Sequence, residues 1–250
     1  MRTVTVNKHR LEVYDSIDDL PVKRFHLFNK YMLVDAGVGS DLNSINQHIA
    51  RIKKFMAEDQ PSAHKELDNL RQSLYLVSQG INVKHMSFVP LIKSINGKDL
   101  HDVSDENIKR ISERLSAEKH TKLDQIIDSV KKKIDKELNL YFPSQFDSTA
   151  QKEYHDKLKQ RALIQLRGIQ EGKDTAEEIK ELDDFLLTFT KPEIFYGKDS
   201  AEIKYDKEFE EMCLLLQKEL SIDISKATVM EFYSSLALLK KINKSRHGNS

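Results

Sequence analysis

Residues 1–16, MRTVTVNKHRLEVYDS, decide how the rest of the chain is read. Val4 and Val6 alternate with Thr3 and Thr5, Leu11 and Val13 alternate with Arg10 and Glu12, and Asn7-Lys8 stands between the two runs. Alternation at period two gives each arm one apolar face, and the polar pair between them predicts a β-hairpin. A two-stranded hairpin that small is not stable alone in water. Val4, Val6, Leu11 and Val13 are therefore the candidate partner interface, open to strand addition by a neighbouring molecule.

A second segment offers another cover. Ile95-Asn96-Gly97-Lys98-Asp99-Leu100 contains Asn-Gly, the strongest short hairpin signal in the chain, and repeats the order of Val6-Asn7-Lys8-His9-Arg10-Leu11: aliphatic, Asn, turn, Leu. Two hairpins of one molecule can then pair into a single small sheet. Intermolecular and intramolecular cover both stay open at this point.

Everything between and after these hairpins reads as helix. Pro21 opens a first helix carrying Phe25, Phe28 and Tyr31, which Gly37 ends. Leu42, Ile45, Ile49, Ile52 and Met56 step by three and four along one face, and Leu67, Leu70, Leu74 and Val77 do the same until Gly80. Val83 to Leu91 gives a shorter stretch. Beyond Ser104 come Ile108, Ile111 and Leu115, then Leu123, Ile127, Val130, Ile134, Leu138 and Tyr141 before Pro143. Tyr154 to Ile169 forms a helix that is apolar nearly all round at Ala162 to Leu166, a profile expected of a central helix. Ile179 to Phe189, the stretch from Ser200 to Leu220, and Val229 to Leu239 complete the set, with Glu193 to Tyr196 ambiguous between loop and strand. The fold class is mainly α, a multi-helix bundle with small β-hairpins at the N-terminus and around Asn96-Gly97. A division into 1–142 and 143–250 falls near Phe142 to Ser148, with a single domain as the alternative.

Composition narrows the class. Forty basic residues balance forty acidic ones, so no global field recruits nucleic acid or an anionic surface. Eight Gly and five Pro in 250 residues disfavour a turn-rich β-sandwich. The single cysteine, Cys213, excludes an intrachain disulfide and, within Met212 to Leu216, is expected in the core. That run is far short of the roughly 20 apolar residues that span a bilayer, so no membrane is expected as a partner. Met1-Arg2-Thr3-Val4 leads into polar residues and not an apolar h-region, so no signal peptide is expected.

Chemistry leaves few traces. Gly37-Val38-Gly39-Ser40 before a helix has the look of a phosphate loop but lacks a third glycine and a preceding strand, and Asp41 would repel an anion; a helix end followed by an N-cap explains it. No two histidines sit four apart as a helical metal site requires, and His101-Asp102 reads as a solvated turn. Glu178-Ile179-Lys180 and Glu202-Ile203-Lys204 match half of a nuclease motif, yet lie in helices where that motif needs a strand. No catalytic residue, cofactor or metal is indicated, and the chain is expected not to be an enzyme. Two basic clusters remain, Lys131-Lys132-Lys133 and the C-terminal Lys240, Lys241, Lys244 and Arg246; the second is the candidate nucleic-acid contact, weighed against a solvated helix end that complements the dipole.

Leu11 to His26 (LEVYDSIDDLPVKRFH), continuing at Asp35 to Asp41 (DAGVGSD), resembles the start of structural proteins of crAss-like tailed bacteriophages that infect gut Bacteroidales. Leu140-Tyr141-Phe142-Pro143 closing a helix is similar as well. The resemblance carries no functional residue across. It implies a virion component of ring or collar type between portal and tail, assembled in the host bacterial cytoplasm. Its partners would be copies of itself in a symmetric ring and neighbouring virion proteins such as the portal and tail. A tail-assembly chaperone or scaffold, and a DNA-processing accessory protein, are the alternatives.

Overall fold

The structure is a computed structural model and describes residues 1–116, 121–146, 149–189 and 191–247. It is mainly α with one small antiparallel sheet. Strands β1 (Arg2–Val6) and β2 (His9–Val13) form the first hairpin, and β3 (Ile92–Ile95) and β4 (Lys98–Asp99) the second. Between them lie α1 (Val22–Gly37), α2 (Leu42–Glu58), α3 (Gln60–Ser78) and α4 (Val83–Phe88). After them come α5 (Asp105–Ser116), α6 (Thr121–Tyr141), the short α7 (Pro143–Phe146), α8 (Thr149–Glu171), α9 (Ala176–Phe189), α10 (Ala201–Leu220) and α11 (Val229–His247).

The two hairpins pair with each other, in the order β1-β2-β3-β4. Leu11 lies opposite Ile95 and Val13 opposite Ile92, with a bulge between Glu12 and Val13. Both turns have positive φ at both central residues, 45° and 65° at Asn7-Lys8 and 52° and 79° at Asn96-Gly97. That conformation matches the right-handed twist of the strands it joins. The Asn96 amide donates to Arg10 O and its side-chain oxygen accepts from the Arg10 N–H, so both turns sit at one end of the sheet.

This pairing corrects the expectation of an apolar face open to a partner. Val4, Val6, Leu11 and Val13 are buried in the main core with Ile17, Phe28, Phe88, Leu91 and the inner rows of α5 and α6. Leu123, Ile127, Val130, Ile134 and Leu138 of α6 belong to that core, while Tyr141, expected at the end of the same row, is exposed. Arg24 of α1 fastens the sheet by donating to Pro90 O at 3.1 Å, Ile92 O at 2.8 Å and Leu100 O. Ser16 Oγ and the Ile17 N–H both donate to Glu137 of α6 at 2.9 Å.

The C-terminal helices return to the start of the chain. Val22 N–H donates to Ala227 O, Val229 N–H to Leu20 O and Met230 N–H to Ile17 O. Leu216 of α10 and Phe232, Leu236 and Leu239 of α11 close over Val22 as a second core. Phe142, where a domain boundary was expected to begin, is buried in the main core; residues 147 and 148 lie outside the described residues.

Gly37, Gly39, Ser40 and Asp41 each have a structural use. A methyl group at Gly37 would overlap the buried Phe195 ring, Gly39 takes φ +67° to end α1, Ser40 Oγ accepts from Val83 N–H, and Asp41 caps α2 through Ser44 N–H at 2.7 Å. Glu193 to Tyr196 form an irregular segment held by Asn69 Nδ2 on Glu193 O and Gln72 Nε2 on Phe195 O.

Candidate assembly surfaces

Titratable side chains gather where α10 crosses α1. His26 and Lys30 stand four apart on α1, Glu202 and Asp206 four apart on α10, so each pair shares a helix face. His26 Nε2 lies 2.7 Å from Asp206 Oδ1, and Lys30 Nζ donates to Asp206 Oδ2 at 2.7 Å. Tyr205 and Phe209 stack on the imidazole with ring centres at 4.6 and 4.0 Å. Burial pushes the His26 pKa down against the pull of Asp206, and burial alone would raise Asp206, but the bonds from Lys30 and His26 hold it below the usual carboxylate range. Burial raises Glu202, and raises Tyr31, whose hydroxyl donates to Asp105 at 2.7 Å. A general base needs a nitrogen that substrate can reach. Here Nε2 is engaged and aromatic rings lie on the imidazole, so the constellation fastens α10 to α1.

The second polar cluster lies under α2 and α3. His48 Nε2 stands 2.6 Å from Val38 O, and Nδ1 2.8 Å from Glu66 Oε1. A carbonyl only accepts, so Nε2 carries a hydrogen, and the imidazole and carboxylate share the proton on the other side. Arg51 approaches the same Glu66 oxygen at 3.4 Å. Ser62, Glu66, Asn69 and Ser73 follow at spacings of four, three and four along α3, and all are buried. Glu66 Oε2, Asn69 Oδ1 and Ser73 Oγ have no partner among the described residues.

These polar residues share the inner side with Phe55 and Ala63, and part of each predicted apolar row faces outward. Leu42 is 72% exposed and Met56 65%; Ile49, Leu67 and Leu74 are exposed too. These five fall at seven-residue intervals on each helix, while Ile45, Ile52, Leu70 and Val77 between them are half-buried. That is the a/d pattern of a coiled coil with one of its two rows open. The expectation that the stripe marks a covered face is corrected on α2 and α3.

A third feature overturns the reading of α8 as a central helix. Helix α8 packs chiefly against α9, to which Arg161 is tied through Asp183 at 2.5 Å and Arg167 through Glu178 at 2.6 Å. Leu158, Leu163, Leu166 and Ile169 are left outside, Ile169 at 80% exposure. The Met212 to Leu216 run is likewise split. Leu216 alone is fully buried, Cys213 lies at the core's edge with its thiol pKa raised by burial, and Met212, Leu214 and Leu215 are exposed.

Of the basic candidates, Lys240, Lys241 and Lys244 project from α11 into solvent, and Arg246 lies on the same helix. In the other cluster, Lys131 pairs with Asp135 at 2.6 Å and Lys133 with Asp15 at 2.8 Å. A cavity of about 300 Å³ beside the start of α10 mixes Lys65, Lys191 and Lys204 with Glu193 and Asp199; Lys191 is paired with Asp59 at 2.8 Å. Among the described residues no three ligating side chains converge on a metal position, and no helix is long and apolar enough to cross a membrane.

Sequence reasoning marked the apolar rows of α2 and α3 but missed what lies behind them. A signal existed: Ser62, Glu66, Asn69 and Ser73 recur with the same helical period as the leucines, one face round. Comparison with protein-family models, with curated proteins and with solved structures returns no match in any of the three.

Proposed function

We propose that the chain is a non-enzymatic structural component of a tailed-phage virion, a ring or collar protein between portal and tail that assembles into a symmetric oligomer. One observation carries this reading: two different helical hairpins, α2–α3 and α8–α9, each leave an apolar row facing solvent. Extended apolar surface of that kind marks an interaction site. Two unlike faces on one chain suit a head-to-tail contact, and head-to-tail contacts form a ring when the rotation between neighbours closes. The likeness of Leu11–His26 and Asp35–Asp41 to crAss-like phage structural proteins supplies the biological setting.

The test is sedimentation velocity of the full-length chain together with mass spectrometry of purified particles. The expected result is a discrete oligomer in solution and the chain in the finished particle. A monomer at every concentration, absent from particles, would sink the reading. An oligomer absent from particles would instead favour a tail-assembly chaperone or scaffold, which the same uncovered rows also suit. The exposed Lys240, Lys241 and Lys244 favour a DNA contact, as a ring lining or as a DNA-processing accessory. Duplex binding that falls steeply with added salt checks that arm.

A further inference from the structure

We propose that the inner side of α3 is a binding site for ordered water, which joins Glu66 Oε2, Asn69 Oδ1 and Ser73 Oγ into one hydrogen-bonded row. The α2–α3 hairpin then rests on the body of the molecule through a hydrated seam, whatever covers its outer side.

These three oxygens are short of donors. Glu66, Asn69 and Ser73 are 0%, 1% and 0% exposed, and the three atoms have no partner among the described residues. Spacings of three and four put them on one face of α3. Their orientation follows from the bonds made beside them. Asn69 Nδ2 lies 2.9 Å from Glu193 O, and a carbonyl only accepts, so the amide cannot be turned over and Oδ1 points away from that bond. His48 Nδ1 at 2.8 Å and Arg51 at 3.4 Å both approach Glu66 Oε1, which leaves Oε2 to the other side of the carboxylate. Ser62 Oγ, one turn earlier on the same face, is already spent on Asp59 at 2.7 Å.

The side chains cannot satisfy one another. A carboxylate oxygen and an amide oxygen only accept, and the Ser73 hydroxyl has one hydrogen for the two of them. Bulk solvent does not reach the three atoms either. A buried polar atom is paired as a rule, with protein or with ordered water.

The acceptor excess selects the occupant. It must donate at least two hydrogens and accept the one on Ser73. An anion would meet only acceptors. A metal cation would meet a carboxylate that already faces Arg51 and the proton of His48. Water donates two hydrogens, accepts in return, and inside proteins makes about three bonds to buried polar groups otherwise unsatisfied. From Glu66 to Ser73 the helix rises about 10 Å. One water bridges partners no more than about 6 Å apart, twice a hydrogen-bond length, so the row takes two molecules.

The test counts long-lived internal water in the full-length chain from the field dependence of oxygen-17 relaxation of the solvent. One variant combines His48→Leu, Glu66→Met and Ser73→Val, and keeps Asn69 so that its bond to Glu193 O survives. The other is Ser73→Val alone, whose added methyl group takes the place of the water on the hydroxyl. Circular dichroism must match the parent, and Ser73→Val decides if the triple variant fails to fold. The parent should hold about two internal waters more than the triple variant and about one more than Ser73→Val. A Ser73→Val count equal to that of the parent would mean the hydroxyl binds no water and would overturn the inference. So would a thermal midpoint of the parent that rises when choline chloride is replaced by sodium or potassium chloride at constant ionic strength, with the rise lost in the variants, because the occupant is then a cation.

Discussion

Helices α6 and α2 carry nearly the same apolar row and meet opposite fates. In α6 the row is Leu123, Ile127, Val130, Ile134, Leu138 and Tyr141, and all but the terminal Tyr141 are buried; in α2 it is Leu42, Ile45, Ile49, Ile52 and Met56, and none is. A helix with a 3.6-residue apolar period has one side that gains from leaving water. The period says nothing of whether the cover comes from the same chain. For α6 the sheet, α4 and α5 supply it. On α2 the side turned toward the body instead holds His48, bonded to Glu66 and Val38.

The comparison breaks most visibly if a charge is tolerated where cover is complete. Val4→Asp with Val6→Asp should abolish cooperative unfolding and the helical circular-dichroism signal, because two uncompensated carboxylates in a dry core cost more than the roughly 5–15 kcal/mol that holds a domain together. A variant that stays folded while losing only its association would return these residues to the role of a partner face. The milder change Ile127→Ala, in the fully buried α6 row, should cost about 2–5 kcal/mol by chemical denaturation.

The inner side of α3 comes next in size. His48→Ala removes the group that shares a proton with Glu66 and leaves a carboxylate at 0% exposure facing only a long contact from Arg51. Breaking one partner out of a buried pair should cost about 3 kcal/mol. The double change His48→Leu with Glu66→Met should recover most of that loss, since an apolar replacement of both partners is often neutral. Failure to recover would mean the polar side holds α2–α3 in place through more than this one pair.

Both hairpin turns, the order of helices and the α6 row were legible in sequence because each depends on residues close together: Asn7-Lys8 and Asn96-Gly97 set their own φ, and Pro143 and Gly80 end helices locally. The union of the two hairpins was legible as a possibility, through the echo of Val6–Leu11 in Ile95–Leu100. What decided it is non-local. Arg10 meets Asn96 across a long stretch of chain, and no local pattern records that meeting. The exposure of α8 and of Leu214 and Leu215 escaped for the same reason. An apolar helix looks central until one knows that, among the described residues, it packs chiefly against a single neighbour.

Asp35 near the end of α1 should give a smaller and pH-dependent effect. Burial pushes its pKa up to about 6, with Lys84 opposing and Asp41, Asp124 and Asp128 reinforcing the shift. Unfolded, the carboxyl titrates near 3.8. Below that value both states are protonated and Asp35 costs nothing. As pH rises through 6 the native state must carry a desolvated charge that the unfolded state solvates freely, so this contribution to stability falls. Asp35→Asn should therefore stabilise by about 1–3 kcal/mol at pH 7 and leave stability unchanged below about pH 3. The opposite slopes from the lowered pKa values of His26 and Asp206 are common to parent and variant and cancel in the difference. A variant less stable at pH 7 would mean that the attraction to Lys84 outweighs desolvation.

The smallest effect on the folded monomer carries the most information about the comparison. Ile49→Asp puts a charge in the middle of the α2 row, at the same kind of position where α6 should tolerate none. At 40% exposure Ile49 gives up only part of a full burial, so the change should move monomer stability by no more than about 1 kcal/mol. Below the concentration at which the chain associates, denaturation curves of parent and variant should differ by that small amount alone. Above it they should separate further, because association that favours the native state adds to apparent stability by mass action and only the parent can use it. If the curves separate by several kcal/mol even for dilute monomer, Ile49 is covered within its own chain and α2 and α6 are alike after all. If they differ by no more than that small amount at every concentration, the row takes no part in self-association, and the polar inner side of α3 needs another explanation.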